Sequence, residues 1–511
     1  MYRKNVKKIF KTAFCLAAFG LSLLCSTQAS AAGDIKVNES TFPDAVFREY
    51  VLDYIAGTDG VLSEKERSSV KNLDFYYEGV TSFKGIEHFT NLQYLFCEGN
   101  ELTSLDLRKL VNLKEVECAD NKLTSLKVSG LSKLEKLICS DNNLTSLSLT
   151  TLPKLEELEC SGNKLSKLNV KSLSNLKYLV CSSNQIQALD LSGMKVLQNV
   201  DCDGNGMNTL KLGSVPALTT LLCSVNDLTS LNISGAPLLR VLYCYQNSLK
   251  SLDCTSNTKL QELEIFTNQL KTLNLSGVTS LVSINCSANQ ISVLDVKSAA
   301  GLVNLIADNN CLPALDLSKN KKLKQVSLQA QIASANVLQD SSGCKVDLSA
   351  SGFAKKRATS LSSGSLYKNG ISWKSTAEIP AARVVTYVYK TGRSGVNFTV
   401  TLNLGKTTAW KPTPGNVNMY QAVNKKGKKI CVKWNALADV TGYEIAYSTS
   451  SKFTKSKTTV VKIKKASTKS RTIKKLKKNK TYYVRMRAYT TYNGKKYCGA
   501  YCTKKKVVIK K

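Results

Sequence analysis

The chain has 511 residues and a formal net charge of +35, with 17 cysteines but a single histidine. Its length suggests several domains. Any Ser-His-Asp or Cys-His catalytic device would have to use His88, and no nucleophile motif lies near it, so composition argues against those hydrolase classes. The charge is uneven: residues 92–328 hold 23 Lys/Arg and 21 Asp/Glu, whereas residues 411–511 hold 28 and 2. This asymmetry predicts two separate roles on one chain.

Residues 1–31 have the pattern of a secretory signal peptide. A basic stretch over residues 3–11 precedes an apolar run over residues 13–25, and the small residues 29–31 offer a cleavage site. The apolar run is too short for a stable membrane anchor, and no later segment is long and apolar enough. The closing stretch "KKKVVIKK" carries no sorting motif. We therefore expect an exported, soluble protein that is held at a surface only by binding.

Residues 32–91 are predicted to form a helical N-terminal cap. The stretches "FPDAVFREYVLDYIA" and "LSEKERSSVKNL" have helical apolar spacing. Between them "DGVLSEKE" resembles the second half of an EF-hand loop, with Asp59 and Glu66 in matching places. Ile55 and Gly57 stand where that loop needs acidic ligands. The cap is therefore predicted to be a degenerate, EF-hand-like helix-loop-helix that binds no calcium.

A 21-residue repeat dominates residues 92–328. Asparagine recurs at every twenty-first residue from Asn100 to Asn310, and leucine keeps the same step from Leu92 to Leu302. Eleven units close to L-x-x-L-x-C-x-x-N-x-L-x-x-L-x-L are followed by a partial one. Stacked units bury a continuous leucine core, and the asparagine amide can donate to and accept from backbone groups at a turn. The pattern predicts a leucine-rich-repeat solenoid, and its unit resembles the bacterial IRREKO-type repeats in length and cysteine position.

The two halves of each unit have matching leucine spacing, which predicts a second strand per coil rather than a helix. Cysteine fills one position from Cys97 to Cys286, except where Ile265 and Ala307 replace it. These apolar replacements favour an inward thiol that packs as a small hydrophobe. A straight column of thiols does not surround a metal ion, and it holds neighbouring Cβ atoms too far apart for disulfides. We expect neither a metal site nor a cofactor.

Two β-rich segments follow the repeats. Residues 329–410 contain a clear hairpin pattern in "RVVTYVYKTGRSGVNFTVTLNL", and they resemble the Ig-like modules that follow the repeats of internalin-type surface proteins. Residues 411–511 resemble a fibronectin type III domain through Trp434, "GYEIAYS" and the tyrosine-corner spacing of Leu476 and Tyr482. The predicted fold class is mainly β: a leucine-rich-repeat β-solenoid with a short helical cap, a small β-domain and a fibronectin type III-like sandwich.

The repeat register also predicts which side chains face outward. Outward residues of the second strand are mostly Ser, Thr, Asn, Lys and Asp, whereas those of the first strand include aromatic and apolar groups between acidic pairs. Large apolar groups on a solvated face favour a binding surface, although aromatic residues also ladder on exposed sheets without binding anything. The predicted ligand-binding residues are Tyr94, Phe96, Tyr178, Leu222, Tyr243, Tyr245, Glu262, Glu264 and Phe266.

Together these patterns predict a non-enzymatic secreted or surface protein, from a Gram-positive bacterium, that binds an unidentified protein ligand. The acidic pairs favour a cationic partner. A carbohydrate-binding or adhesion module is the alternative, because aromatic groups beside carboxylates also suit sugars. A glycan-degrading enzyme rests only on carboxylate pairs such as Glu157 and Glu159, for which no cleft is evident. The excess of lysine in residues 411–511 predicts retention on an anionic cell-wall polymer or membrane surface; no nucleic-acid partner is expected outside the cytoplasm.

Overall fold

The computed structural model describes residues 33–340, 342–409, 414–437, 440–492 and 494–510. The predicted signal peptide lies outside these residues. The chain divides into two compact units, of which the first contains the repeats and the second contains residues 404–511. No helix in the described part of the chain is long and apolar enough to cross a membrane. The fold is mainly β, as the sequence predicts.

The cap contains two α-helices joined by a short loop. Asp44 begins the first helix, because its carboxylate accepts a hydrogen bond from the Phe47 backbone N–H at 2.9 Å. The second helix begins with a capping box in which Glu66 accepts from the Ser63 N–H at 2.8 Å. Glu66 therefore caps a helix where an EF-hand would use it as a calcium ligand. The elements are helices Ala45–Val51 and Glu64–Ser69, the π-turn Leu52–Ala56, the 3₁₀ turns Gly57–Asp59 and Ile86–His88, and the paired strands Ile35–Lys36 and Val61–Leu62.

The repeats stack into one long parallel sheet, here called the first-strand sheet. Each coil contributes three residues, and the middle one is buried in every strand except the last, where Val326 is partly exposed. The sheet begins inside the cap, because Asn72 pairs in register with Tyr94, a step of 22 residues where the later coils step by 21. Its strands are Asn72–Asp74, Tyr94–Phe96, Glu115–Glu117, Lys136–Ile138, Glu157–Glu159, Tyr178–Val180, Asn199–Asp201, Thr220–Leu222, Val241–Tyr243, Glu262–Glu264, Ser283–Asn285, Asn304–Ile306 and Gln325–Ser327.

The predicted second strand forms in only some of the coils. At the equivalent position of the other described coils, leucines such as Leu168, Leu231 and Leu294 are still buried, but the backbone does not form a ladder with the next coil. The apolar spacing therefore predicted the inward side chains correctly and overestimated the hydrogen bonding between coils. Three parallel pairs are present: Ser104–Asp106 with Ser125–Lys127, Ala188–Asp190 with Thr209–Lys211, and Ser251–Asp253 with Thr272–Asn274.

The lattice asparagines bond each coil to the one before it. The Asn163 Oδ1 accepts from the Leu144 backbone N–H at 2.9 Å, and its Nδ2 donates to the carbonyls of Cys139 at 2.9 Å and Cys160 at 3.2 Å. The side chain is buried, so these bonds satisfy backbone groups that water does not reach. The same arrangement recurs at Asn121, Asn142, Asn184, Asn205, Asn226, Asn247, Asn268, Asn289 and Asn310.

The lattice cysteines lie inside the coil stack. Cys160 and its counterparts from Cys97 to Cys286 are fully buried free thiols, and Ile265 and Ala307 are equally buried where they replace cysteine. Burial raises the pKa of the Cys160 thiol well above its usual value, so the thiolate is disfavoured. The described residues contain no cluster of three or more His, Cys, Asp or Glu that could hold a metal ion. These thiols pack as core residues.

The turn after each first strand requires a left-handed backbone at the residue before the lattice asparagine. Glycine meets this requirement at Gly162 (φ 62°) and Gly204 (φ 63°). Other coils place a residue with a Cβ there, including the β-branched Val225 (φ 54°) and Thr267 (φ 54°). A left-handed conformation costs a non-glycine residue about 1–2 kcal/mol, so the lattice is locally strained at these coils.

Exchanging residues between two of these turns should shift stability in opposite directions. We expect Val225→Gly to increase the free energy of unfolding by about 1 kcal/mol, because it relieves the left-handed strain and Val225 buries little surface. Gly204→Val should lower the free energy of unfolding by about 1–2 kcal/mol. The added Cβ has room, because the nearest atom is 3.8 Å away, so the cost comes from the left-handed backbone alone. Denaturant unfolding followed by circular dichroism measures both; equal and like-signed effects would contradict the strain argument.

Seven strands between residues 331 and 409 follow the last coil, and they are divided between the two compact units. The predicted hairpin is present, since Val384–Lys390 pairs antiparallel with residues 397–403. Within the first unit, the hairpin and Arg357 contact the final coils: the Tyr387 hydroxyl donates to the Pro313 carbonyl at 2.7 Å, and Arg357 forms an ion pair with Asp316 at 2.8 Å. The strands are Gln331–Asp340, Gly343–Asp347, Ala358–Thr359, Ser365–Tyr367, Gly370–Trp373, Val384–Lys390 and Asn397–Ala409, with 3₁₀ turns Ser349–Ser351, Lys355–Arg357 and Thr376–Glu378.

The C-terminal part of the chain is a sandwich of antiparallel strands with its own core. Trp434 and Tyr443 are fully buried, with ring centroids 5.4 Å apart. Tyr482 forms the predicted tyrosine corner, because its hydroxyl accepts from the Lys477 backbone N–H at 3.2 Å. The strands are Gln421–Lys425, Lys429–Lys433, Gly442–Ser448, Thr458–Ile463, Ser470–Ile473, Thr481–Tyr492, Lys495–Cys498 and Lys505–Val508, with a 3₁₀ turn at Lys455–Lys457.

Candidate ligand-binding surface

The outward side of the first-strand sheet, here called the first-strand face, is a set of parallel columns. The first and third residues of each strand point outward, and the residue after the lattice cysteine extends the face by one more position. Register partners in neighbouring coils are spaced by about 4.8 Å, the ordinary distance between strands. Predicted site residues can therefore be placed relative to one another by counting strands.

The structure brings six of the predicted residues together, in what we call the central cluster. Tyr243 is the register partner of both Leu222 and Glu264. The rings of Tyr245 and Phe266 stack with centroids 4.5 Å apart and planes inclined by 6°. All four apolar or aromatic groups are half-buried. The cluster consists of Leu222, Tyr243, Tyr245, Glu262, Glu264 and Phe266.

The two glutamates of the central cluster lie in different environments. The Tyr243 hydroxyl donates to the Glu262 Oε2 at 2.9 Å, and burial together with this bond raises the pKa of Tyr243. Burial raises the pKa of Glu264, partly opposed by its hydrogen bond to Asn285. Glu262 thus fixes Tyr243 at the edge of the aromatic stack. Neither Glu262 nor Glu264 has an ion-pair partner among the described residues.

The remaining predicted residues lie elsewhere on the same face. Tyr94 and Phe96 are seven strands from Tyr243, which corresponds to about 34 Å. Tyr178 is isolated between the two groups and is 41% exposed, with its hydroxyl 3.4 Å from the Gln198 Oε1. The nine predicted residues therefore do not form one continuous site.

Tyr76 extends the N-terminal group and was not predicted. Its ring stacks on Phe96 with centroids 5.7 Å apart, and its hydroxyl donates to Glu117. The segment that carries it belongs to the sheet, but the 22-residue step between Asn72 and Tyr94 hides it from a search for a 21-residue period. The pattern "NLDFYY" has the strand spacing of the later coils and was the signal that could have revealed it.

Carboxylates occupy the face between the two aromatic groups. The Lys136 Nζ forms ion pairs with the Glu115 carboxylate at 2.9 Å and with the Glu117 carboxylate at 2.7 Å. Further along, Glu157, Glu159, Asp201 and Asp203 have no ion-pair partner in the described part of the chain. Burial and the charge of the neighbouring Glu157 raise the pKa of Glu159. These carboxylates lie side by side on an open sheet, whereas a glycosidase holds its pair across an enclosed substrate.

Asp203 has the most perturbed carboxylate of this stretch. Burial, reinforced by the charge of Asp201, raises the pKa of Asp203 from 3.8 to about 6, although its carboxylate accepts a hydrogen bond from the Ser224 backbone N–H. The face therefore carries a carboxyl group that changes charge in weakly acidic solution.

Sequence profiles identify two parts of the chain. Residues 132–172 match two copies of the Leucine Rich repeats, and residues 411–497 match the Fibronectin type III domain. The chain thus contains leucine-rich repeats and a fibronectin type III domain, and both predictions are confirmed. No curated protein matches the chain in sequence.

Solved structures with similar chains include two from Listeria monocytogenes. One is the functional domain of InlJ, described as including a cysteine ladder; it is 27% identical over 73% of this chain and 99% of its own, with a TM-score of 0.42. The other is the internalin InlF, 23% identical over 56% of this chain and 96% of its own, with a TM-score of 0.42. The leucine-rich effector protein YopM from Yersinia pestis is 25% identical over 47% and 73%, with a TM-score of 0.38.

The raised pKa of Asp203 should make the solenoid lose stability as pH rises. Between pH 3.8 and about 6 the folded state binds a proton that the unfolded state has released, so this contribution is complete below the lower value and is lost through the upper one. We expect Asp203→Asn to remove a decrease in melting temperature across this window. Asp227→Asn, which alters an exposed carboxylate in the next coil, should keep the wild-type profile. Identical profiles for all three proteins would contradict the assignment.

Proposed function

We propose that this chain is an exported, non-enzymatic protein that binds a protein ligand with the central cluster of its first-strand face. The observation that carries the proposal is the stacked pair Tyr245 and Phe266, with Tyr243 and Leu222 beside it, on a face whose other positions are largely polar or acidic. Rigid aromatic groups supply large contact area at small entropic cost, which is why they dominate binding hot spots.

The surroundings of the cluster favour a cationic protein partner. Glu262 and Glu264 lie beside the rings. The negative charge continues along the same face through four carboxylates that have no ion-pair partner in the part of the chain that the structure describes: Glu157, Glu159, Asp201 and Asp203. Such an acidic rim speeds the encounter with a basic partner and rejects acidic ones. Leu222 adds an apolar aliphatic surface, which suits an apolar protein side chain better than the hydroxyl groups of a sugar.

We further propose that the fibronectin type III domain retains the protein on an anionic envelope. Of the two acidic residues in 411–511, Asp439 lies outside the described residues, and Glu444 is buried and paired with Arg487 at 2.9 Å and with Lys496. Most lysines of the domain are exposed, so their charge is available to a partner. Export rests on the signal-peptide pattern of residues 1–31, and a cell-wall polymer or anionic membrane surface would supply the balancing charge.

Removing the aromatic rings should weaken ligand binding without lowering the stability of the fold. We expect the triple variant Tyr243→Ser, Tyr245→Ser, Phe266→Ser to bind proteins selected on the wild-type chain from a display library at least roughly tenfold more weakly. Its melting temperature should stay close to that of the wild type, since the replaced groups are only half-buried. Binding is measured by surface plasmon resonance.

The matched control changes three residues of the opposite side. The variant Asn169→Ser, Asn232→Ser, Asn274→Ser alters exposed positions and should bind as the wild type does. Equal losses in both variants would remove the case for a distinct site. Selection of glycans from an array, with no protein selected, would favour the carbohydrate-binding alternative.

Retention is tested with the isolated domain, which has its own core. Residues 411–511 should sediment with isolated Gram-positive cell walls at low ionic strength, and salt should release them progressively towards molar concentrations because exposed charges are screened over about 8–10 Å at physiological salt. Walls stripped of teichoic acid should lose most of the binding. A domain that stays in the supernatant at low salt would show that the lysines are only a solubilising coat.

A further inference from the structure

Arg485 of the fibronectin type III domain is clamped between two aromatic rings. Its guanidinium carbon lies 4.1 Å from the ring centroid of Phe453 and 4.1 Å from that of Tyr501. Both faces of the planar group are therefore covered, and its orientation is fixed by contacts with two separate loops of the domain. The end of the guanidinium that carries the two Nη groups remains available for hydrogen bonding, whereas its Nε is buried.

Two neighbouring cations on this sheet pair with Glu444, whereas the Arg485 side chain has no hydrogen-bond or ion-pair partner among the described residues. Arg487, two residues along the same strand, also packs on Tyr501 at 4.5 Å, but it donates to the Glu444 carboxylate at 3.0 Å. Lys496 pairs with the same glutamate. Arg485 forms no hydrogen bond or ion pair with any described residue, and its Nε is shielded from solvent without an acceptor. The Nη groups of Arg485 are not buried, so they are the donors that can reach an acceptor outside the chain.

The backbone beside this arginine is strained. Phe453 has a left-handed backbone (φ 55°), a conformation that bulky residues rarely adopt, and its side chain is only 9% exposed. This conformation places the ring against the guanidinium. Strain of this kind is commonly found where a group must be held ready for a ligand.

We propose that Arg485 is a preorganised binding site for a phosphate group of an anionic polymer. A guanidinium edge matches two oxygens of a phosphate through parallel hydrogen bonds, a geometry that lysine cannot reproduce. Lys506, the register neighbour of Tyr483, and Lys504, which packs over the Tyr483 ring at 5.8 Å, add positive charge on the same sheet. This inference deepens the proposed retention: it adds one defined phosphate contact to the otherwise diffuse attraction of the lysines.

The test uses Arg485→Lys in the full chain, with Arg471→Lys as its control. Both changes keep the net charge, and Arg471 is an exposed arginine on a different sheet. On a surface coated with inorganic polyphosphate at about 0.15 M salt, we expect Arg485→Lys to weaken binding by roughly tenfold and Arg471→Lys by less than about twofold. Equal affinities for the two variants and the wild type would overturn the proposal, because a charge coat alone predicts that result.

A second variant protects the test against loss of the fold. Tyr501→Leu keeps every positive charge but removes one face of the clamp, and it should weaken polyphosphate binding by an intermediate factor. Melting temperatures of all variants are compared by circular dichroism. If Arg485→Lys unfolds, unchanged binding by Tyr501→Leu would overturn the proposal, since a clamp that matters to the fold alone would leave affinity unaltered.

Two further arms separate this inference from retention itself. Vesicles of phosphatidylglycerol report a lipid source: a loss by Arg485→Lys on vesicles as well as on polyphosphate would show that the site also accepts a headgroup phosphate, whereas a loss on polyphosphate alone would restrict it to the polymer. Sedimentation with isolated cell walls reports retention. If the wild-type chain does not sediment with cell walls, but Arg485→Lys still binds polyphosphate more weakly than the wild type, the retention proposal is wrong and the phosphate-site proposal stands.

Discussion

The solenoid depends on the hydrogen bonds that each lattice asparagine makes to the preceding coil. One amide accepts from a backbone N–H nineteen residues earlier and donates to a carbonyl twenty-four residues earlier, as Asn163 does with Leu144 and Cys139. Leucines supply the larger share of burial, but apolar contact has no direction and cannot fix register. The asparagine column can, because displacing a coil by one residue would leave several buried donors and acceptors unpaired.

A fixed interior leaves the exterior free to carry function. Cysteine, leucine and asparagine occupy positions that the fold requires, whereas the outward positions of the first-strand face hold tyrosine, glutamate, serine or isoleucine without changing the coil. Tyr243 and Glu264 lie side by side only because the lattice holds their strands in register. The scaffold thus positions binding groups at the spacing of a β-sheet and does not restrict which residue types occupy the outward positions.

Periodicity explains how much could be predicted from the sequence and where prediction failed. The repeats, the buried thiols and the outward register all follow from local spacing, and so does the tyrosine corner at Tyr482. The coil around Tyr76 was missed because one additional residue interrupts the period. The clamp on Arg485 could not be predicted, since it joins Phe453 and Tyr501 from distant parts of the chain. The grouping of the nine outward residues into separate clusters also required the order of the strands.

Because each coil bonds only to its neighbours, the length of the solenoid can change by whole repeats. Losing or duplicating one 21-residue unit rejoins matching asparagine columns and shifts everything beyond it by a single strand spacing, about 4.8 Å. A change of another size has to be absorbed in a turn between strands, as the additional residue between Asn72 and Tyr94 is. In evolution, the interval between the aromatic groups around Phe96 and Tyr243 can therefore change only in these discrete steps, so that related chains could match ligands of different length with an unchanged contact chemistry.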